Sequence, residues 1–249
     1  MMISDQNKRM HSMDYAELAR RQNRSSTQIL EESLSSDDCI VALTSNYRIV
    51  ADIALCVSVI EDRREKILLE HATKEYQFAL FALHQGFYRH AFSALRLSFE
   101  LLLSSIEFSA NELALRQWES GALDINWSRL LSLDSGVFSK NFIRAFSLGL
   151  EDRGMHFRSI SEKAYRECSE YVHGNAATHA QLPPDLTFSR SSILAWSDKS
   201  QSVHIVFLFL FFARYVADMS ESRRKIIEES FLESLGYIKE VRFAFGATV

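Results

Sequence analysis

Phe87–Ser109 reads FYRHAFSALRLSFELLLSSIEFS. Within it Phe92, Leu95, Phe99, Leu102, Leu103 and Ile106 recur at steps of three and four, with one adjacent pair. That period places the apolar side chains on one stripe of an α-helix, whereas a half-buried strand would alternate every second residue. The segment predicts a long helix with one face to bury, so its neighbours must supply the matching faces.

The neighbours on both sides carry the same period. Towards the N-terminus, Lys74–Gln85 predicts a further apolar-rich helix that Gly86 stops. Ahead of it, from Asp38 to about Ala72, Ile40, Leu43, Tyr47, Val50, Ile53, Ala54, Val57 and Ile60 keep helical spacing. Asp62-Arg63-Arg64-Glu65-Lys66 reads as a solvated turn or a break in that helix. Towards the C-terminus, Glu112–Trp118 predicts a short helix closed by Gly121, and two more follow around Trp127–Leu131 and Phe138–Leu148. Arg158–His173 reads as a helix capped by Ser159 or Ser161 and ended by Gly174-Asn175. Ala176–Ser200, with Pro183 and Pro184, reads as a loop. Gln201–Met219 then predicts a nearly continuous apolar helix, and Ser220–Ser234 an amphipathic one bearing Arg223-Arg224-Lys225. Residues 1–35 are polar and mildly basic and suit an arm containing one short helix. Residues 36–249 read as a single all-helical domain.

Composition agrees with an all-α class. The chain has 249 residues but only 2 prolines and 8 glycines, too little punctuation for many tight turns. The formal net charge of −4 supplies no overall basic field, so any RNA contact must be local or brought by a partner. Cys39, Cys56 and Cys168 show no Cys-x-x-Cys spacing, which fits a reducing cytoplasm and argues against a zinc or disulfide framework. The N-terminal residues have no apolar core and are not read as a signal peptide. Val203–Ala217, VHIVFLFLFFARYVA, is shorter than the roughly 20 residues of a membrane span. It also holds His204 and Arg214, so it predicts a buried central helix without membrane contact. Its aromatic series Phe207, Phe209, Phe211, Phe212 and Tyr215 reads as core or dimer interface. His71, His84, His90 and His179 lack partners at metal-ligand spacing, so no metal is expected. The chain carries no Gly-rich phosphate loop, Gly-x-Ser-x-Gly elbow or His-Glu-x-x-His motif, and no cofactor is expected.

The chemistry-bearing stretch is Tyr165–Asn175, YRECSEYVHGN. Seven residues are almost two helical turns, so Arg166 and His173 project from one face. Ser169 and Glu170, at +3 and +4 from the arginine, share that face. RNA cleavage by its own 2′-hydroxyl needs a base, an acid and positive charge on the phosphate. Arg166 can grip phosphate oxygens while staying charged, His173 can move a proton near neutral pH, and Glu170 can orient the imidazole. The same residues also suit a plain role, since an imidazole in the last turn can bond free carbonyls. Arg96 and Glu100, four residues apart, suit either a simple intrahelical ion pair or a role in positioning the motif helix or phosphate.

The Arg-x6-His spacing in the second half of a helical chain resembles the HEPN superfamily (higher eukaryote and prokaryote nucleotide-binding domains). The motif of that family is an arginine, four to six residues, then a histidine. The helix ALRLSFELLL, with Arg96 and Glu100, looks like the family's second core helix. The stretch YRECSEYVHG is similar to the version in bacterial HEPN-like proteins of phage defence and abortive infection. The resemblance covers about residues 70–220. It implies a HEPN-like helical bundle with extra N-terminal and C-terminal helices. It also implies a homodimer that packs two Arg/His pairs together, with metal-independent endoribonuclease activity as a toxin or effector in bacterial anti-phage defence. Catalysis would fall to Arg166, His173, Glu170 and Ser169, and substrate positioning to Arg96 and Glu100. A partner protein of a defence or toxin–antitoxin system is a further implication. Active members often carry Asn, Asp or His after the arginine, where this chain has Glu167. That departure leaves a second reading open: a catalytically silent scaffold or sensor subunit, binding its partner through helix 203–217 and the arm 1–35.

Overall fold

The computed structural model describes residues 14–173 and 176–246. Twelve α-helices are present among them, with no strand. Six long helices build the body: α2 (Asp37–Val59), α3 (Lys66–His84), α4 (Tyr88–Phe108), α8 (Gly154–Val172), α10 (Arg190–Tyr215) and α11 (Glu221–Leu235). The 20-residue α1 (Tyr15–Leu34) flanks them, and shorter pieces are α5 (Glu112–Glu119), α6 (Trp127–Leu130), α7 (Lys140–Phe146), α9 (Ala176–Gln181) and α12 (Lys239–Ala244).

The stripe on α4 organises the core. Phe92, Leu95, Phe99, Leu102, Leu103 and Ile106 are all buried. The α3–α4 turn is sharp because Gly86 takes φ +77°, a left-handed conformation that costs glycine little. Gly86 N–H donates to Leu83 O at 3.1 Å and Phe87 N–H to Ala82 O at 2.8 Å, which closes the helix end with a Schellman motif. The α3 and α4 helices therefore fold back on each other as a hairpin.

Side-chain contacts give the directions of the rest. Phe92, early in α4, stacks on Tyr171, late in α8, so α8 runs antiparallel to α4. Phe157, early in α8, stacks on Phe209, late in α10, while Glu167 pairs with Lys199, early in α10. Asn46 and Asp52 of α2 meet Ser197 and His204 of α10 in the same order, so those two helices run parallel. Arg48 of α2 pairs with Glu233 of α11, and Asp62, just after α2, pairs with Arg223. The six helices thus alternate up and down, and α10 and α11 close the bundle against α2.

Several expectations change. The segment 1–35 holds a helix of 20 residues, with Ser26, Ile29 and Ser33 buried; it packs on α2 and α3. The predicted break at 62–66 is real, but α3 begins at Lys66, well ahead of Lys74. The motif helix starts at Gly154, so Ser159 and the buried Ser161 lie inside it and neither is a cap. The predicted stop at Gly174-Asn175 lies outside the described residues. The stretch read as a loop, 176–200, instead contains α9 and the first turns of α10, which Ser189 caps through Ser192 N–H. The aromatic residues Phe207, Phe209, Phe211, Phe212 and Tyr215 are buried within the chain itself. They belong to the core of the single chain. Asp37–Val59 and Arg190–Asp218 are each long and apolar enough to cross a membrane; packing inside the fold buries most of the second.

Candidate functional site

The motif helix α8 is fixed at both ends and along one flank. At its start, a Cβ on Gly154 would sit 2.4 Å from Phe138 O and 2.6 Å from Ile143 Cδ1. Only glycine lets α8 lie that close to the segment leading into α7. Mid-helix, Tyr165 is held in three ways. Its ring stacks on Trp127 with centroids 3.7 Å apart. Its hydroxyl donates to Glu100 Oε1 at 2.6 Å and accepts from Arg96 Nη2. Arg96 in turn bonds Glu100 at 3.0 Å and lays its guanidinium 4.6 Å from the Tyr165 ring centroid. Arg96 and Glu100 are thus an intrahelical ion pair and also a clamp on the residue next to Arg166. Burial, then the Glu100 bond, pushes the Tyr165 phenol up to about 12, so it remains a donor at neutral pH.

Arg166 itself is exposed and forms no ion pair among the described residues. It edges a depression shared with Trp127, Leu131, Ser159, Glu162 and Lys163. His173 is exposed too, at the C-cap of α8, where its N–H bonds Ser169 O at 3.2 Å. A rise of about 1.5 Å per residue sets the two Cα atoms roughly 10 Å apart along the axis. One helix therefore presents both groups to solvent on one side without bringing them into contact.

The other predicted site residues differ in what is free. The Ser169 hydroxyl donates to Tyr165 O at 2.7 Å, a bond back into its own helix. The Glu170 side chain is exposed, and its carbonyl accepts from Thr178 Oγ1 at 3.2 Å. Glu167 turns to α10, where Lys199 Nζ lies 2.6 Å away, while Lys163 Nζ, one turn earlier on α8, lies 4.0 Å away. Its charge is thereby shared with lysines and directed away from Arg166. Cys168 is buried beneath the motif, and burial pushes its thiol up to about 12. No set of three His, Cys, Asp or Glu among the described residues has metal-binding geometry.

Two clusters were not legible from spacing alone. Arg89, in the first turn of α4, donates to Val172 O at 3.3 Å and to His179 Nε2 at 3.0 Å. An arginine only donates, so His179 Nε2 is the acceptor. Arg89, Thr178 and His179 together tie α9 to the end of the motif helix. Elsewhere, Asp52 and His204 meet in the interior, with Oδ2 3.0 Å from Nε2 but off the line of the ring N–H. Burial works against the Asp52 charge, yet His204, Ser230 and Arg48 outweigh it and hold the carboxyl below its usual range. His204 also reaches a cavity of about 570 Å³ between α8, α10 and α11, whose wall includes the Lys199–Glu167 pair. Sequence separations of about 90 to 150 residues hide both clusters from any local pattern.

Compared with known proteins, the chain matches no family model, no curated protein and no solved structure.

Proposed function

We propose that the chain is a HEPN-like, metal-independent endoribonuclease, acting in the cytoplasm as a toxin or effector of bacterial anti-phage defence. The observation that carries this reading is the exposed Arg166/His173 pair on one helix, with Tyr165 locked beneath it by Arg96 and Glu100. Arg166 holds a phosphate, and His173 takes or returns the proton. Because one helix spaces them by roughly 10 Å, a homodimer that sets two α8 helices face to face would complete each site from both copies. In this reading Glu170 orients an imidazole, while Ser169 supports the helix through Tyr165 O. The test is incubation of RNA with wild type and with His173→Ala in EDTA. Cleavage by wild type alone supports the reading. Absence of cleavage by wild type, with the natural activator present, sinks it.

A second reading is a silent HEPN-like scaffold or sensor subunit. Phe78 and Phe81 on α3 and Val41 and Tyr47 on α2 are exposed, which gives such a subunit apolar surface for a partner. Growth arrest on expression, abolished by Arg166→Ala with His173→Ala, favours the nuclease. A stable complex with a neighbouring gene's product, indifferent to that double change, favours the scaffold.

A further inference from the structure

The last turn of α10 buries a guanidinium without a carboxylate. Arg214 is only 7% exposed. It donates from Nε to Ser109 Oγ at 2.7 Å and from Nη2 to Ser109 O at 3.1 Å. Its faces meet Phe146, 4.1 Å to the centroid, and Tyr215, 5.0 Å. All of these partners are neutral. Of the acids around it, Glu65 and Asp62 are committed elsewhere, and Asp218 stands exposed at the wall of the same cavity. Glu65 takes Arg63 Nε at 2.5 Å and the Tyr215 hydroxyl at 3.0 Å, and Asp62 takes Arg223 at 3.2 Å. Arg63 Nη2 also reaches Ser109 O, at 3.3 Å, so two guanidinium groups converge on one carbonyl oxygen. Burial, with the Arg63 charge adding to it, works against Arg214 and holds its pKa below the usual range. A buried charge in that position calls for a counter-charge.

Room for one exists. Arg214, Arg63 and Arg223 line a cavity of about 200 Å³ together with Asp62 and Asp218. The hydrogen bonds to Ser109 engage Nε and Nη2 of Arg214 and leave Nη1 out. Ligand pockets for larger molecules run from about 300 Å³ upward, so this one suits a single small group. Guanidinium forks match tetrahedral oxyanions by paired N–H donors. We propose that this cavity is an oxyanion site that takes phosphate or the phosphoryl group of a small monoester. Arg214 supplies the buried charge and Arg63 the second fork. Asp218, exposed at the same wall, opposes the anion and sets its affinity. The site lies at the end of the bundle where α8 begins, the opposite end from His173, and it does not depend on the nuclease reading.

The experiment is isothermal titration of the full chain in chloride buffer with inorganic phosphate and, separately, with ethyl phosphate. Wild type is expected to bind phosphate with a Kd below about 1 mM. Arg214→Met and Arg63→Gln should each weaken binding by about 10-fold or more, and Asp218→Asn should tighten it. Equal binding of ethyl phosphate identifies a monoester phosphoryl group as the ligand, and binding of inorganic phosphate alone identifies the free ion. Circular dichroism reports whether Arg214→Met folds; if it does not, Arg63→Gln and Asp218→Asn decide. No saturable heat with either probe, or unchanged affinity in those two variants, overturns the site.

Discussion

Tyr165 donates its hydroxyl proton to Glu100 at 2.6 Å, linking the motif helix to the hairpin that organises the core. The bond is charge-assisted and partly shielded from water, since Glu100 is mostly buried. Tyr165→Phe keeps the stack on Trp127 and removes only this link. It should lower unfolding free energy by about 1.5 kcal/mol in urea denaturation at pH 7. An unchanged midpoint would show that the clamp contributes nothing to holding α8.

Arg166 and His173 are both exposed, so their side chains serve surface chemistry more than packing. Arg166→Ala and His173→Ala should each change stability by no more than about 0.5 kcal/mol. Under the nuclease proposal, each should also abolish RNA cleavage. Thermal melts alongside cleavage assays separate the two effects. A large loss of melting temperature would instead make these residues structural.

The Asp52 carboxyl is held below its usual range, so it stabilises the fold at pH values above the ordinary carboxylate pKa. That contribution is lost as pH falls through the depressed folded value. Asp52→Asn removes the carboxylate that His204, Ser230 and Arg48 favour and should cost about 1.5 kcal/mol at pH 7. The gap between wild type and variant should narrow below about pH 4, where the wild-type carboxyl also protonates. Urea melts of both proteins from pH 3 to 7 measure it, and a gap that widens on acidification contradicts the sign.

Gly154→Ala would ordinarily favour a helix by about 1 kcal/mol. Here the added methyl meets backbone oxygen at 2.4 Å, which cannot rotate away. The expected outcome is net destabilisation of about 2 kcal/mol, read by chemical denaturation. Stabilisation would mean that α8 and the α7 segment separate easily.

Elements marked by a clear apolar stripe or a capping residue were legible in the sequence. The α4 stripe, the Gly86 stop and the Ser220 start of α11 all rest on local rules of period and capping. The start of α10 was obscured because its first turns are polar and follow two prolines, although Ser189 carries an N-cap signal. The length of α1 was hidden by its polarity, because few of its residues face the core. At the site, helical spacing puts Arg166 and His173 on one face. The Arg96–Tyr165, Arg89–His179 and Arg214–Ser109 contacts join helices far apart in the chain and become visible only when the bundle is assembled.

The alternating order of the six long helices has a consequence for how the chain reaches its native state. From α2 through α3 to α4, each helix can settle on its predecessor after a short connection, so those contacts need little loop closure. The contacts of α10 with α2 are different: Asp38 and Arg190 are 152 residues apart, and Asn46 and Ser197 are 151 apart. Loop-closure entropy therefore favours sealing the bundle late, by the helix that carries the buried aromatic series. Until that seam closes, the aromatic face of α10 is the surface on which a nascent chain is most exposed to association with its neighbours.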